Sequence, residues 1–363
     1  MRSSAASDVY KRQTMKCTIQ NIADHLGLSR NTVSKALKNS SEVSENTRNL
    51  VIKTASKLGY KNATFATPVI PASETGSNGT ILFLTRTYAS DSEFWTTVLR
   101  GIESILSNAN YHLAISIMSD SDLKQLNFPQ TISDSSIKGI ILVEICDKVV
   151  CDALSQFNLP IVSVDMPNVP FEELNGIDVV TMESKKNLKK IINQLIEKGA
   201  ESFGFVGDLY SPNVSRGFQE RYNALSECLA EHQLPLNQKN CLLHQTPEDF
   251  RNFQTTVNNL QAMISLPDVF ICGNDWTAIQ LIYALQFLGF QIPKDICVVG
   301  FDNIPAASRI SPSLTTISTP QKYLGIAAAR QILERIQHPN CPHVFCQYET
   351  ELIIRNSTNI TSF

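Results

Sequence analysis

The sequence predicts an N-terminal all-α helix-turn-helix unit followed by a larger α/β core of two doubly wound parallel-sheet lobes. Residues 18–60 carry apolar side chains at helical spacing, whereas from Thr80 onward short apolar runs alternate with amphipathic stretches of helical length. That alternation is typical of βαβ units. The total of 363 residues exceeds one typical domain. The roughly 280 residues that follow Gly79 are enough for two lobes.

The first helix of the small unit is predicted by apolar residues at i, i+3, i+4 and i+7, namely Ile19, Ile22, Ala23 and Leu26. Thr18 is placed as its N-cap, and Gly27 ends it. Ser29 caps a second helix, whose apolar face holds Val33, Ala36 and Leu37. A third helix begins at cap Ser44, packs Val51, Ala55 and Leu58, and stops at Gly59.

The second helix has a polar face opposite its apolar one. Its members are Arg30, Asn31, Ser34, Lys35 and Lys38. A major groove admits one helix; Arg and Lys donate to guanine, and Asn pairs with adenine. The hydroxyl groups of Thr18, Ser29, Thr32, Ser34 and Ser44 are placed to meet phosphates. The alternative is a three-helix interaction module with a solvated basic face.

The net charge also differs between the small N-terminal unit and the larger core. Residues 15–62 hold eight Lys or Arg against three Asp or Glu, a net charge of +5, and residues 1–14 carry +2. Because the whole chain has a net charge of −3, everything after residue 62 carries −10. A small basic unit on an acidic body indicates a polyanion-binding head.

Other features limit the class of protein. No apolar run approaches the roughly 20 residues of a membrane-spanning helix, and no secretory signal is evident, which predicts a cytoplasmic protein without a membrane partner. The nine cysteines form no CxxC pair and are expected to be free thiols. Residues 1–14 show no apolar periodicity and precede Met15, so we expect them to be a non-native extension.

Polar residues follow many predicted strands of the core. They are Thr85, Glu144, Asp165, Asp208, Asn274, Asp275 and Asp302. Ligands of open α/β sheets bind outside the carboxyl ends of strands, so these positions are where a pocket would form. The alternative for each of them is a role in a loop or helix cap.

The run of residues 18–60 resembles the headpiece of the lactose-repressor (LacI/GalR) family almost position by position. The resemblance implies that Arg30, Asn31 and Lys35 read DNA bases. It also implies that Thr18, Ser29, Thr32, Ser34 and Ser44 contact phosphates. After Gly59-Tyr60, Lys61 stands where members usually have Pro, and Val69 replaces their usual leucine, so the resemblance does not by itself predict a hinge helix.

The core resembles the effector domain of the same family, which has a periplasmic-binding-protein-like fold of two lobes. The matching stretches are 94–103, 161–165, 203–208, 271–303, 311–317 and 351–358. The resemblance implies effector contacts from Trp95, Asp165, Arg221, Asn274 and Asp302. Carboxylates, an amide, a guanidinium and a ring face suit a small polar ligand such as a sugar or sugar derivative. A nucleobase-type ligand or a protein co-regulator is the alternative.

The expected domains are a headpiece over 15–62, a hinge or linker over 63–79, and an effector-binding and dimerisation core over 80–363. Within the core, the N-terminal lobe is expected at about 80–178 and 318–346, and the C-terminal lobe at about 179–317 and 347–358.

The expected function is a ligand-responsive DNA-binding transcriptional regulator, a repressor, acting as a homodimer on a pseudo-palindromic operator, since one recognition helix reads few base pairs. We find no GxSxG elbow, P-loop, GxGxxG after a strand or His-rich metal spacing, and predict no catalytic residue, metal site or cofactor. A solute-binding transport protein would need export and would lack residues 18–60.

Overall fold

The computed structural model describes residues 18–37, 43–44, 47–48, 50–51, 54–55, 77–86, 92–209, 215–244 and 252–359. The chain divides into two compact units, Met1–Gly76 and Ser77–Phe363. The predicted extension (1–14) and the hinge segment (61–69) lie outside the described residues, as does most of the linker.

The smaller unit contains helix α1 (Ile19–Leu26) and helix α2 (Arg30–Leu37). Thr18 caps α1 reciprocally with Asn21, and Gly27 ends α1 with a φ of 63°, a backbone conformation that glycine adopts without strain. The Ser29 hydroxyl accepts a hydrogen bond from the Thr32 amide at 3.0 Å, which starts α2.

The core of the smaller unit comes from the predicted apolar faces. Its buried residues are Ile22, Ala23, Val33, Ala36, Val43, Val51 and Ala55. The third helix is described only in part: six residues are helical, Thr47, Arg48, Leu50, Val51, Thr54 and Ala55. Leu58 and Gly59 lie outside the described residues.

The described residues of the larger unit form two six-stranded sheets. The first has the order β11-β5-β4-β3-β1-β2 and is entirely parallel; the second has the order β12-β10-β9-β8-β6-β7 and is parallel except for β12. The first-sheet strands are β1 (Thr80–Arg86), β2 (His112–Met118), β3 (Ile137–Val143), β4 (Ile161–Val164), β5 (Ile177–Met182) and β11 (Phe345–Tyr348). The second-sheet strands are β6 (Phe203–Asp208), β7 (Leu242–His244), β8 (Val269–Cys272), β9 (Cys297–Asp302), β10 (Thr315–Ser318) and β12 (Glu351–Ile353).

In the described part of the chain, eight helices accompany the sheets. They are α3 (Glu93–Leu106), α4 (Asp120–Gln125), α5 (Lys148–Ser155), α6 (Lys186–Glu197), α7 (Arg216–Glu231), α8 (Phe253–Ala262), α9 (Asp275–Phe287) and α10 (Gln321–Gln337). Short 3₁₀ turns lie at Gln130–Ser133, Phe171–Glu173, Gln238–Asn240 and Pro305–Ser308. None of the helices in the described part of the chain combines the length and apolarity needed to cross a membrane.

The chain passes from one sheet to the other three times, and the passages differ from the predicted lobe boundaries by a few residues. β5 pairs with β4 and β11 over 177–182, so residues 179–182 belong to the first lobe rather than to the second. Residues 347 and 348 lie in β11 of the first lobe, and Ser318 ends β10 of the second. Strands buried on both faces of a parallel sheet carry the same apolar signal in either lobe, so the sequence gives no local mark of the passage.

Helices α3 and α10 pack closely through glycines. A Cβ added at Gly101 would overlap the carbonyl oxygen of Lys322, and one added at Gly325 would overlap the carbonyl oxygen of Val98. Both glycines lie inside helices, where glycine is ordinarily unfavourable by about 1 kcal/mol relative to alanine. Backbone proximity therefore explains their presence.

We expect Gly325→Ala to destabilise the protein by about 1–3 kcal/mol, because the added methyl group meets backbone rather than a flexible side chain. Arg330→Ala, on the exposed face of the same helix, is the matched control and should change the free energy of unfolding by less than about 0.5 kcal/mol. Urea unfolding followed by circular dichroism measures both. Equal stability of Gly325→Ala and the wild type would show that the two helices separate at little cost.

Candidate functional site

A cavity of about 90 Å³ lies at the carboxyl ends of strands from both sheets. Its lining residues are Arg86, Ser92, Phe94, Trp95, Glu144, Cys146, Asp165, Met182, Asp208, Ser215, Phe218, Arg221, Asn274 and Asp302. In each sheet the order of strands reverses beside the first strand, β1 or β6. Open α/β sheets bind ligands at such switch points.

All five predicted effector contacts line this cavity. Trp95 lies in the first turn of α3, Asp165 directly follows β4, and Arg221 is on α7; Asn274 precedes α9, and Asp302 ends β9. The first lobe therefore supplies Trp95 and Asp165, and the second lobe supplies the other three. Arg86, Glu144 and Asp208 also line the cavity and were not among the predicted contacts, although Glu144 and Asp208 stand at the strand ends that the sequence marks as pocket positions.

Three cavity carboxylates stand on unusual backbone. Glu144 has a φ of 59°, Asp165 of 80° and Asp302 of 121°. A residue with a side chain in this region costs about 1–3 kcal/mol, and such residues cluster at functional sites. The strain is consistent with carboxylates that serve a site rather than the fold alone.

Arg221 is 4% exposed and fixed on one side. Its Nη1 donates a hydrogen bond to the Gly273 carbonyl oxygen at 2.7 Å, and its guanidinium carbon lies 3.6 Å from the centre of the Phe301 ring. Burial lowers the pKa of Arg221, against the opposing effect of Asp302 and Asp165. Its buried Nε has no hydrogen-bond partner among the described residues, so a donor is available for a ligand.

Asp165 connects the two lobes beside the cavity. Its Oδ1 accepts a hydrogen bond from the Met166 amide at 2.8 Å, and its carboxylate also bonds the Ser215 side chain. The Arg216 amide donates to the Met166 carbonyl oxygen at 3.0 Å, so the loop after β4 is joined directly to the start of α7. Burial raises the pKa of Asp165.

Asn274 and Asp275 have structural partners as well. The Asn274 Oδ1 accepts a hydrogen bond from the Thr277 amide at 2.9 Å and caps α9, which leaves the amide nitrogen for another partner. The fully buried Asp275 accepts hydrogen bonds from the Thr316 hydroxyl at 2.5 Å and from the Ile304 amide at 2.9 Å. Burial raises the pKa of Asp275 to about 6. Asp275 thus positions the loop that follows Asp302.

On the first lobe's side of the cavity, Glu144 interacts with Trp95 and Arg86. Burial raises the pKa of Glu144 to about 7, although the Arg86 charge and a hydrogen bond from the Trp95 side chain act in the other direction. Arg86 is 2% exposed and also pairs with Asp120 at 2.8 Å. The second carboxylate oxygen of Glu144 has no hydrogen-bond partner among the described residues.

The smaller unit presents the predicted base-reading residues on α2. Arg30 and Asn31 are exposed in its first turn, and Lys35 is half-buried one turn later. Val33 and Ala36 are buried on the other side of the helix. Lys38, the remaining basic residue of the predicted polar face, lies outside the described residues.

Four of the five predicted phosphate-contacting residues, all except Ser34 in the middle of α2, lie at the starts of helices. The hydroxyl groups of Thr18, Ser29 and Ser44 accept hydrogen bonds from the amides of Asn21, Thr32 and Thr47 at 3.3, 3.0 and 3.4 Å. Thr32 bonds the Ser29 hydroxyl at 2.8 Å, and Ser34 is half-buried. These side chains therefore stabilise the helix ends, where amide dipoles also favour an anion.

Two family models match the chain. Residues 18–62 match bacterial regulatory proteins of the lacI family, and residues 192–358 match the periplasmic binding protein-like domain. The first of these ranges holds the helix-turn-helix, and the second holds most of the second lobe together with α10 and β11.

Relatives and solved structures cover almost the whole chain. The HTH-type transcriptional repressor PurR of Photobacterium profundum is 26% identical over 94% of this chain and 98% of its own. The ribose operon repressor of Haemophilus influenzae is 27% identical with the same coverage. A lac repressor dimer bound to operator and an anti-inducer superposes with a TM-score of 0.65 at 20% identity, over 95% of this chain and 99% of that one. The chain therefore combines a match to the lacI family of bacterial regulatory proteins over residues 18–62 with a match to the periplasmic binding protein-like domain over residues 192–358.

Proposed function

We propose that this protein is a transcriptional repressor that binds operator DNA through α2 and changes its operator affinity when a small polar ligand occupies the cavity. The observation that carries the proposal is the convergence of Trp95, Asp165, Arg221, Asn274 and Asp302, from two lobes, on one cavity. The lacI-family match of residues 18–62 and the similarity to transcriptional repressors support a regulator rather than an enzyme. The cavity alone does not distinguish the two.

The DNA-binding part of the proposal rests on the exposed side of α2. Arg30 can donate to guanine, and Asn31 can pair with adenine through its amide, while the capped starts of α1 and α2 meet phosphates. Since one helix reads only a few base pairs, the proposal includes a homodimer on a pseudo-palindromic operator. The lac repressor structure named above is a dimer on its operator.

The ligand-sensing part rests on the division of contacts between lobes. A ligand held by Trp95 and Asp165 on one side and by Arg221, Asn274 and Asp302 on the other stabilises one relative position of the lobes. Coupling between two such sites typically amounts to about 1–3 kcal/mol.

Hydroxyl groups are the ligand chemistry that the lining supports. Carboxylates and Asn274 accept or donate hydrogen bonds to hydroxyl groups, and the Trp95 ring covers an apolar face of a sugar. One similar structure holds cellobiose (19% identity, TM-score 0.66), and another, from Enterococcus faecium, holds ribose (24% identity, TM-score 0.62). We therefore propose a small sugar or sugar derivative as the effector.

Asn31→Ala should weaken binding to a selected operator by about 1–3 kcal/mol and relax specificity at one base pair, because a bidentate contact to a base is lost. Ser29→Ala should weaken binding to all sequences alike, since its hydroxyl serves the phosphate side and the helix cap. Glu172→Ala, on the exposed surface of the core, is the control for unchanged binding. Selection from random DNA followed by anisotropy titration measures all three. Uniform loss in Asn31→Ala would remove it from the base-reading set.

Asp302→Ala should abolish the effect of a sugar on operator affinity and leave operator affinity without sugar within about twofold, because Asp302 lines the cavity and is not one of the predicted DNA-contacting residues. Ribose, cellobiose and their phosphorylated forms are first screened by thermal shift, since a ligand of the folded state stabilises it. Anisotropy titrations with and without the hit then compare the variant with the wild type. An unchanged sugar response in Asp302→Ala would exclude Asp302 from the site.

A further inference from the structure

The described lining of the cavity has more acidic than basic side chains. Four carboxylates line it, those of Glu144, Asp165, Asp208 and Asp302, against two guanidinium groups, those of Arg86 and Arg221; the described lining contains no lysine or histidine. A phosphorylated or carboxylated ligand would add further negative charge to this lining.

Both guanidinium groups are held by the protein. Arg86 forms an ion pair with Asp120, which does not line the cavity. Arg221 bonds the Gly273 carbonyl and stacks on Phe301, and forms no ion pair within 4.0 Å among the described residues. Within the described lining, the acidic side chains therefore outnumber the basic ones by two.

Glu144 lies between an acidic and an aromatic side chain of the cavity, those of Asp208 and Trp95. Trp95 donates a hydrogen bond to Glu144, whose other oxygen lacks a partner among the described residues, and Asp208 acts on Glu144 as a like charge. The Asp302 carboxylate accepts no hydrogen bond from the described residues either. A cation gains from carboxylates and from an aromatic face together.

We propose that the effector carries a protonated amine beside its hydroxyl groups, with the amine bound by Glu144, Asp208 and the Trp95 ring and a hydroxyl or carbonyl oxygen bound by Arg221 Nε. This inference rests on the proposed function, since it names the chemical class of ligand for the same cavity. An amino sugar carries both a protonated amine and hydroxyl groups. Its neutral parent sugar has the hydroxyl groups but lacks the cation.

Because Glu144 titrates near neutral pH, affinity for an amine should depend on pH in a definite direction. Arg86, Asp165, Asp208, Asp302 and Cys146 all interact with Glu144, and burial raises its pKa to about 7, so a proton occupies it at lower pH. An ammonium group favours the ionised carboxylate, which releases that proton. Affinity for an amine should therefore increase between about pH 5.5 and pH 7, where aliphatic amines stay protonated. A neutral sugar that accepts a hydrogen bond from protonated Glu144 would show the opposite trend.

The test is isothermal titration calorimetry of the full chain with matched sugars: glucosamine, galactosamine and mannosamine, each against its neutral parent hexose and its N-acetyl derivative. We expect at least one amine to bind about tenfold more tightly than both neutral partners and to release protons, seen as a dependence of the binding heat on buffer. A neutral sugar that binds as tightly as its amine, or the absence of binding by all three amines, would overturn the inference. If a neutral sugar also alters operator affinity, the proposed function stands while this inference fails.

Glu144→Gln and Asp208→Asn keep the shape of the side chain and remove its charge. Each should reduce affinity for the amine about tenfold and leave affinity for the neutral parent within about twofold. Glu172→Gln removes a carboxylate from the exposed surface and should change neither affinity. Thermal unfolding checks that the variants fold. An equal loss of amine and neutral sugar in both cavity variants would assign these carboxylates to general positioning and contradict the proposed amine contact.

Discussion

A buried carboxylate holds together the second lobe's side of the cavity. Asp275 begins α9, accepts a hydrogen bond from Thr316 on β10, and accepts another from the amide of Ile304 in the loop after β9. A Cβ at Gly300 would overlap its Oδ1, so β9 has a glycine where the carboxylate packs. Three elements are thus fixed around one side chain. Asn274 directly precedes α9, and Asp302 ends β9. The hydrogen bonds of Asp275 therefore fix the positions of both residues.

The same loop is fixed from its other side. Arg355 donates hydrogen bonds to the Asn303 side chain at 2.7 Å and to the Leu314 carbonyl oxygen at 2.8 Å. Asn303 in turn donates to the Ser318 hydroxyl at 3.1 Å. Asp302 is therefore held in its strained backbone conformation by neighbours on both sides, which is how a structure maintains such strain at a site. The first lobe differs in that Asp165 bonds directly across to Ser215, the N-cap of α7 in the second lobe.

The sequence predicts a core of alternating strands and helices, and the structure shows that alternation from β1 onward. Most of the strands bury a continuous apolar run, although the edge strand β2 is only partly buried. β7 and β12 have three residues each, β10 is the Thr-rich TTIS, and β11 is only half-buried, so none of them carries a strong apolar signal. The predicted cavity residues converge because strand ends of parallel sheets meet at one edge. Arg86 was missed because an arginine at the end of a strand looks like an ordinary surface charge; only the tertiary fold places Asp120 and Glu144 beside it.

The placement of Trp95 has an optical consequence. The chain has two tryptophans, Trp95 and Trp276. Trp95 lines the cavity at 8% exposure and bonds a titrating carboxylate, whereas Trp276 is 39% exposed and does not belong to the described lining. A bound molecule therefore alters the surroundings of one indole directly, and the ultraviolet emission of the protein contains an intrinsic probe of cavity occupancy that requires no label.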